Sequence, residues 1–371
     1  MKTSLRFLLF AAIIILNSCS TSNKGDKSAS LDAYFQSQFP NDEPGGAILI
    51  MKNDSVIFSR GYGVSDINTK EKITSQTLFN LGSISKTFVS NAILMLQEAG
   101  KLSVEDSLMK YFPNFKNQSF AERIKIKHLL THTSGLPDNR QVGNDSVFYL
   151  TAKDAENWYP ITQAEKLNFE PGERFEYSNP AFNALALIVE QVSRIKWQKF
   201  VEEKIMKPSG MTTSTITDGP HPESGVSHGY VLNHGKWTED DYGEEPTFPA
   251  SGNGGIWSSV KELAKYEQAI QHATFLTPAS VIDSRTVKSF PNWNSTTPPF
   301  IGWSWFIENN RNGFKTIGHT GSQGGFLCNY VTIPESKVFF TILCNTPRDV
   351  NAYTEKIEQW LMSTGQVNVG K

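Results

Sequence analysis

The apolar pattern of this chain changes period twice, and that change constrains its fold. Near the N-terminus, Gly46-Ala47-Ile48-Leu49-Ile50-Met51, a turn at Asn53-Asp54, and Val56-Ile57-Phe58-Ser59-Arg60-Gly61 read as a strand hairpin. Strand patterns return only near the C-terminus, at Trp303 to Ile307, Gly325 to Ile333 and Val338 to Cys344. Between them, from about Leu102 to Gly255, short helical patterns alternate with loops rich in Pro, Gly and Asn. The clearest helix runs from Pro180 to Ser193, with Ala181, Leu185, Leu187, Ile188 and Val192 apolar, and a last one spans about Asn351 to Met362. Strands from both ends around a helical middle predict one discontinuous α/β (α+β) domain with a helical domain inserted. The sheet part is expected at about 31–82 and 256–371, the helical part at about 83–255.

Charge is nearly balanced, 35 Lys and Arg against 37 Asp and Glu, with no basic run suited to nucleic acid. The first residues read as a targeting segment: Lys2 and Arg6 precede an apolar stretch from Phe7 to Leu16 that spans only about half a bilayer core. Leu16-Asn17-Ser18-Cys19 resembles a bacterial lipobox, so 1–18 is expected to be removed and Cys19 acylated. The alternative is an ordinary secretory signal with Cys19 incidental. Residues 19–30 are small and polar, as a tether should be, which places the expected protein in the bacterial cell envelope, lipid-anchored. Cys328 and Cys344, on runs that look like neighbouring strands, could share a sheet face, either as a disulfide or as two buried thiols. They give no metal framework.

Three polar motifs remain: Ser83-Ile84-Ser85-Lys86, Tyr177-Ser178-Asn179 and His319-Thr320-Gly321. Ser-x-x-Lys alone is close to noise, since it recurs at Ser107-Lys110, Ser193-Lys196 and Ser258-Lys261. Context singles out Ser83. Gly82 before it allows a tight turn, and Phe88, Val89, Ala92, Ile93 and Leu96 follow at helical spacing up to Gly100. Ser83 thus sits at the mouth of an amphipathic helix, with Lys86 one turn deeper on the same face.

A Ser-x-x-Lys, a Tyr-x-Asn and a Lys/His-Thr-Gly in that order resemble the active-site triplet of the serine β-lactamase and penicillin-binding-protein superfamily. Ile124 to Leu136, Phe169 to Asn179 and Gly254 to Ala264 are similar to segments of its class C β-lactamase-like branch, with Glu262 where Asp is usual. The resemblance implies an antiparallel β-sheet flanked by helices, an inserted all-helical domain, and a site in the cleft between them. It implies Ser83 as nucleophile, Lys86 sharing in proton transfer, and Tyr177 accepting or relaying the serine proton beside the lysine. Asn179 would orient Lys86 and bind the acylated amide. His319, Thr320 and Gly321 would lie on an edge strand facing Ser83, and Ser322 would offer an oxyanion-hole N–H with Ser83.

His319 departs from true class C β-lactamases, which carry Lys there. With an ordinary pKa near 6.5, histidine is mostly neutral at pH 7 and gains charge on acidification. Arg348 could supply a substitute charge, but it reads better as a surface arginine. The resemblance therefore favours a DD-carboxypeptidase, D-peptidase or esterase acting on peptidoglycan peptides or another small or peptide substrate, without a cofactor. A true β-lactamase, and a penicillin- or peptidoglycan-binding protein without activity, are the alternatives. His128 and His132 have the spacing of a zinc helix but no Glu between them as in His-Glu-x-x-His, and read as structural. His221, His228 and His234 read as loop residues; no metal is expected.

Overall fold

A computed structural model describes residues 24–140, 152–217, 221–222, 224–239 and 251–367. The leader and Cys19 lie outside the described residues.

In chain order the α-helices among the described residues are α1 (Lys24–Gln38), α2 (Ser85–Glu98), α3 (Gln118–Arg123), α4 (Ile126–Leu130), α5 (Asp154–Thr162), α6 (Asn179–Ser193), α7 (Trp197–Val201), α8 (Val260–Gln271), α9 (Pro278–Ser284) and α10 (Val350–Ser363). The main sheet uses β1 (Gly46–Lys52) and β2 (Ser55–Tyr62) from one end of the chain. Strands β8 (Phe306–Asn309), β9 (Lys315–Gln323), β10 (Phe326–Ile333) and β11 (Val338–Cys344) come from the other. Its order is β2-β1-β11-β10-β9-β8, and every pairing is antiparallel. Small sheets join β3 (Phe79–Asn80), β4 (Thr215–Ile216) and β7 (Ile256–Ser258), and β5 (Tyr230–Asn233) with β6 (Lys236–Glu239).

The adjacent interior strands β1 and β11 are apolar at nearly every position because both faces are covered. Ala47, Leu49 and Met51 of β1 join Phe339 and Leu343 of β11 in one core, with α2, α6 and α8. Ile48 and Ile50 join Val338, Phe340, Ile342 and Cys344 in a second core, closed by Leu31 and Phe35 of α1 and by Tyr353, Ile357 and Leu361 of α10. Each large side chain so buried contributes about 1.5–3 kcal/mol. The result is a helix–sheet–helix sandwich whose sheet is closed only by joining the two ends of the chain.

Three expectations change. Cys328 faces Leu343, and Cys344 faces Leu327, so strand alternation sends the two buried thiols to opposite faces. They share no sheet face, and both are free. The expected strand from Trp303 begins instead at Phe306. Trp303 N–H donates to Ser284 O, Ser304 N–H donates to Leu130 O, and Ser304 sits at φ +68°, so tertiary partners take the backbone out of the ladder. Finally, α1 begins at Lys24, inside the segment expected as tether. Its described apolar residues Leu31 and Phe35 dock on the sheet.

Candidate active site

Gly82 to Ile84 form a short 3₁₀ turn that feeds α2, and this turn packs edge-on against β9. The fit is backbone to backbone. Gly82 adopts φ +50°, and a Cβ there would sit 2.7 Å from Ser322 N. A Cβ on Gly321 would meet Leu81 O at 2.0 Å. The Asn80 side chain holds the turn by accepting from Gly82 N–H at 2.9 Å. Strand β8 pairs with β9 only from Lys315 to Gly318, so the part of β9 from His319 onward is an open edge beside Ser83.

Ser83 is partly exposed, whereas Lys86 is completely buried. The Lys86 Nζ donates to Ser83 Oγ at 3.0 Å and to the Asn253 carbonyl at 2.7 Å. Burial holds its pKa well below the usual lysine range, and the Arg140 guanidinium pushes it the same way. Arg140 is itself locked, donating to Asp138 through Nε and Nη2 and to Asn157 through Nη1. An amine brought toward neutrality beside a hydroxyl is a base suited to taking its proton.

Tyr177 presents its ring to the lysine, with Nζ 5.1 Å from the centroid, and Phe182 does so at 5.7 Å. Tyr177 is 40 % exposed, so solvent reaches part of its side chain. Its ring stacks on His132, with centroids 4.4 Å apart. His132 is buried at φ +55°, and its Nδ1 accepts from Ser178 N–H at 3.0 Å, which leaves the proton on Nε2. Burial first, then Lys86 and His319, hold it neutral. His132 is thus part of the site. Its sequence signal, a His in Leu-Leu-Thr-His-Thr-Ser-Gly, reads as structural when taken alone. His128 has separate partners: its Nδ1 accepts from Lys125 N–H at the start of α4.

Asn179 is the first residue of α6, which Ser178 caps by accepting from Ala181 N–H at 3.3 Å. The hydrogen bonds that orient Lys86 run to Ser83 and to Asn253, a residue absent from the motif reading. No sequence pattern marks Asn253, because it acts through its backbone carbonyl.

Along β9, His319 and Gly321 are buried while Thr320 and Ser322 are exposed. His319 Nδ1 lies 2.6 Å from the Thr320 carbonyl and so carries the ring proton. Burial, with Lys86 repelling a second positive charge, lowers its pKa to about 3. Histidine is therefore neutral here as expected, but acidification across the ordinary range does not charge it. Nor does Arg348 supply a charge: it lies over Phe39 and Trp237, on the far face of the sheet.

Among the described residues, one group could approach a metal: His221, His228 and Glu239, with donor atoms within 4.8 Å of one another. His228 Nδ1 and Glu239 Oε1 are already paired at 2.6 Å. No described helix is long and apolar enough to cross a membrane.

The chain is 24 % identical over 347 residues to penicillin-binding protein 4* of Bacillus subtilis (strain 168), covering 88 % of this chain and 73 % of that protein. It is 33 % identical over 314 residues to protein flp of Staphylococcus aureus (strain COL), covering 81 % of this chain but only 59 % of flp. Among solved structures, the octameric penicillin-binding protein homologue from Pyrococcus abyssi superposes with a TM-score of 0.74 at 28 % identity, over 86 % of this chain and 73 % of the other. The Beta-lactamase family model matches residues 32–360. A fold of two chain ends joined in one antiparallel sheet, with a serine–lysine pair at its edge, belongs to that family: the chain is a member of the Beta-lactamase family of serine hydrolases.

Proposed function

We propose that this hydrolase cleaves an amide or ester through a Ser83 acyl-enzyme, and that its substrates are D-amino-acid or peptidoglycan-type peptides, with carboxylic esters second. One observation carries the mechanism: a fully buried amine 3.0 Å from the hydroxyl of a partly exposed serine. In neutral form Lys86 donates one hydrogen to Asn253 O and turns its lone pair to Ser83. Ser83 Oγ attacks the substrate carbonyl carbon as its proton passes to Lys86, directly or by way of Tyr177. The oxyanion forms beside the N–H groups of Ser83 and Ser322. The C–N or C–O bond then breaks, the leaving group takes the proton, and water repeats the sequence on the acyl-enzyme. Asn179 and the β9 edge, from His319 to Ser322, would hold the substrate backbone.

The substrate preference rests on His319. A neutral imidazole offers no positive charge to a substrate carboxylate, which weighs against efficient β-lactamase activity and equally against a D-Ala-D-Ala terminus, and so favours amides, esters and peptides bound without that contact. The names of penicillin-binding relatives support a peptidoglycan-type peptide. Acylation of Cys19 would keep the enzyme at the membrane, and comparing labelled palmitate incorporation in wild type and Cys19→Ser tests that. The substrate test compares kcat/KM for a D-Ala-D-Ala peptide, a D-amino-acid amide, p-nitrophenyl esters and a chromogenic cephalosporin. The expected order puts peptide, amide or ester first, and a cephalosporin in first place would make it a β-lactamase.

A further inference from the structure

Asp154 opens α5 and is buried. Three N–H donors from three separate segments converge on its carboxylate. Asn183 Nδ2 of α6 reaches Oδ1 at 2.8 Å, the Gly252 backbone N–H reaches the same oxygen at 2.8 Å, and Trp197 Nε1 of α7 reaches Oδ2 at 2.9 Å. An ionised carboxylate only accepts, so all three donors are matched when it carries its charge. A buried charge held only by neutral donors is costly, and an apolar residue would seal the same space more cheaply.

What the arrangement achieves lies one residue further on. Gly252, gripped by Asp154, precedes Asn253, whose carbonyl receives Lys86 Nζ at 2.7 Å. Asn183 also reaches Asn253 Oδ1 at 3.3 Å, and Ser251 Oγ donates to that same oxygen. Asp154 and its partner Asn183 therefore fix the 251–253 turn from both its backbone and its side chain.

We propose that Asp154 is a positioning residue for the hydrolysis: ionised, it holds the 251–253 turn so that the Asn253 carbonyl aims the Lys86 amine at Ser83. The proposal rests on the acyl-enzyme reading above. Burial raises the Asp154 pKa to about 7, opposed by its three donors and assisted by Glu190. The charged groups around it are few. Glu190 on α6 is itself paired with Lys196 at 3.2 Å, Arg140 reaches α5 through Asn157, and Lys86 lies beyond Asn253. The carboxyl thus changes charge within the range in which such an enzyme works, and its protonation loosens the turn.

The test is the pH profile of kcat from pH 5 to 9 for wild type, Asp154→Asn and Trp197→Phe, each checked by thermal melting. Wild type should show an inflection near pH 7. Asp154→Asn should lose that inflection and run about tenfold slower at pH 8, with KM within about twofold. Trp197→Phe removes one stabilising donor and should move the inflection up by about half a unit or more. Folded variants whose profiles are the wild-type curve scaled by a constant would overturn the proposal. If Asp154→Asn does not fold, an unmoved inflection in Trp197→Phe overturns it alone. Fluorophosphonate labelling of wild type separates the two levels. A wild type unlabelled at Ser83 removes the acyl-enzyme reading, whereas a labelled one with unmoved profiles removes only the role of Asp154.

Discussion

His132 lies beneath Tyr177, its ring centroid 4.4 Å away and its plane 26° from parallel. The imidazole fixes the depth of the tyrosine ring and, through Nδ1, the Ser178 backbone that follows it. Replacing it with Ala removes the platform and orphans the Ser178 N–H. His132→Ala is therefore expected to lower kcat about ten- to a hundred-fold with a smaller change in KM. Steady-state kinetics on an ester substrate decide it, and a variant at full kcat would make the stacking incidental.

Lys86 should be both indispensable and costly. Lys86→Met is expected to reduce acylation by at least about a thousandfold, measured as the rate of probe attachment. Its stability effect has a sign set by linkage. Burial holds the folded-state pKa well below that of the unfolded chain, so the unfolded state binds more protons between the two values. The penalty is full below the folded pKa and fades as pH rises to the unfolded one. The gain in Tm of Lys86→Met over wild type should thus be larger at pH 6 than at pH 10. An equal or inverted difference would mean the lysine sits in the fold without a desolvation penalty.

Gly321 leaves no room for a side chain. A Cβ there would stand 2.0 Å from Leu81 O, on the turn that carries Ser83. Gly321→Ala should push that turn away from β9, costing about 1–3 kcal/mol of stability and at least about tenfold in kcat. Urea unfolding and ester kinetics on one preparation test both. An unchanged variant would show that the contact tolerates displacement.

His319 separates the hydrolase types. Because its pKa is near 3, lowering pH from 8 to 5 should leave the ratio of cephalosporin to ester turnover within about twofold. His319→Lys introduces an ammonium and should raise that ratio roughly ten- to a hundred-fold, the range expected for a charged hydrogen bond. A ratio in wild type that climbs steeply below pH 6.5 would mean that the histidine gains charge after all.

Much of this is legible in the sequence because the sheet writes its burial in period-two and fully apolar runs, as at Ala47 to Met51 and Val338 to Cys344. Motif residues that act through side chains at fixed spacing, Ser83 and Lys86 above all, are legible too. What is not legible acts through the backbone or across the fold. Asn253 contributes a carbonyl, Asp154 meets its partners from α6, α7 and a distant turn, and His132 gains its place only when Tyr177 folds over it. The opposite faces of Cys328 and Cys344 depend on a strand register that spacing alone leaves open.

Ser83 carries the proposed mechanism. Purified protein treated with a fluorophosphonate or penicillin probe, digested and mapped by mass spectrometry, should carry one adduct, on Ser83. Ser83→Ala should carry none, while Ser107→Ala, Ser193→Ala and Ser258→Ala label as wild type does. An adduct on any other residue of wild type, or one that persists in Ser83→Ala, would contradict the serine–lysine mechanism.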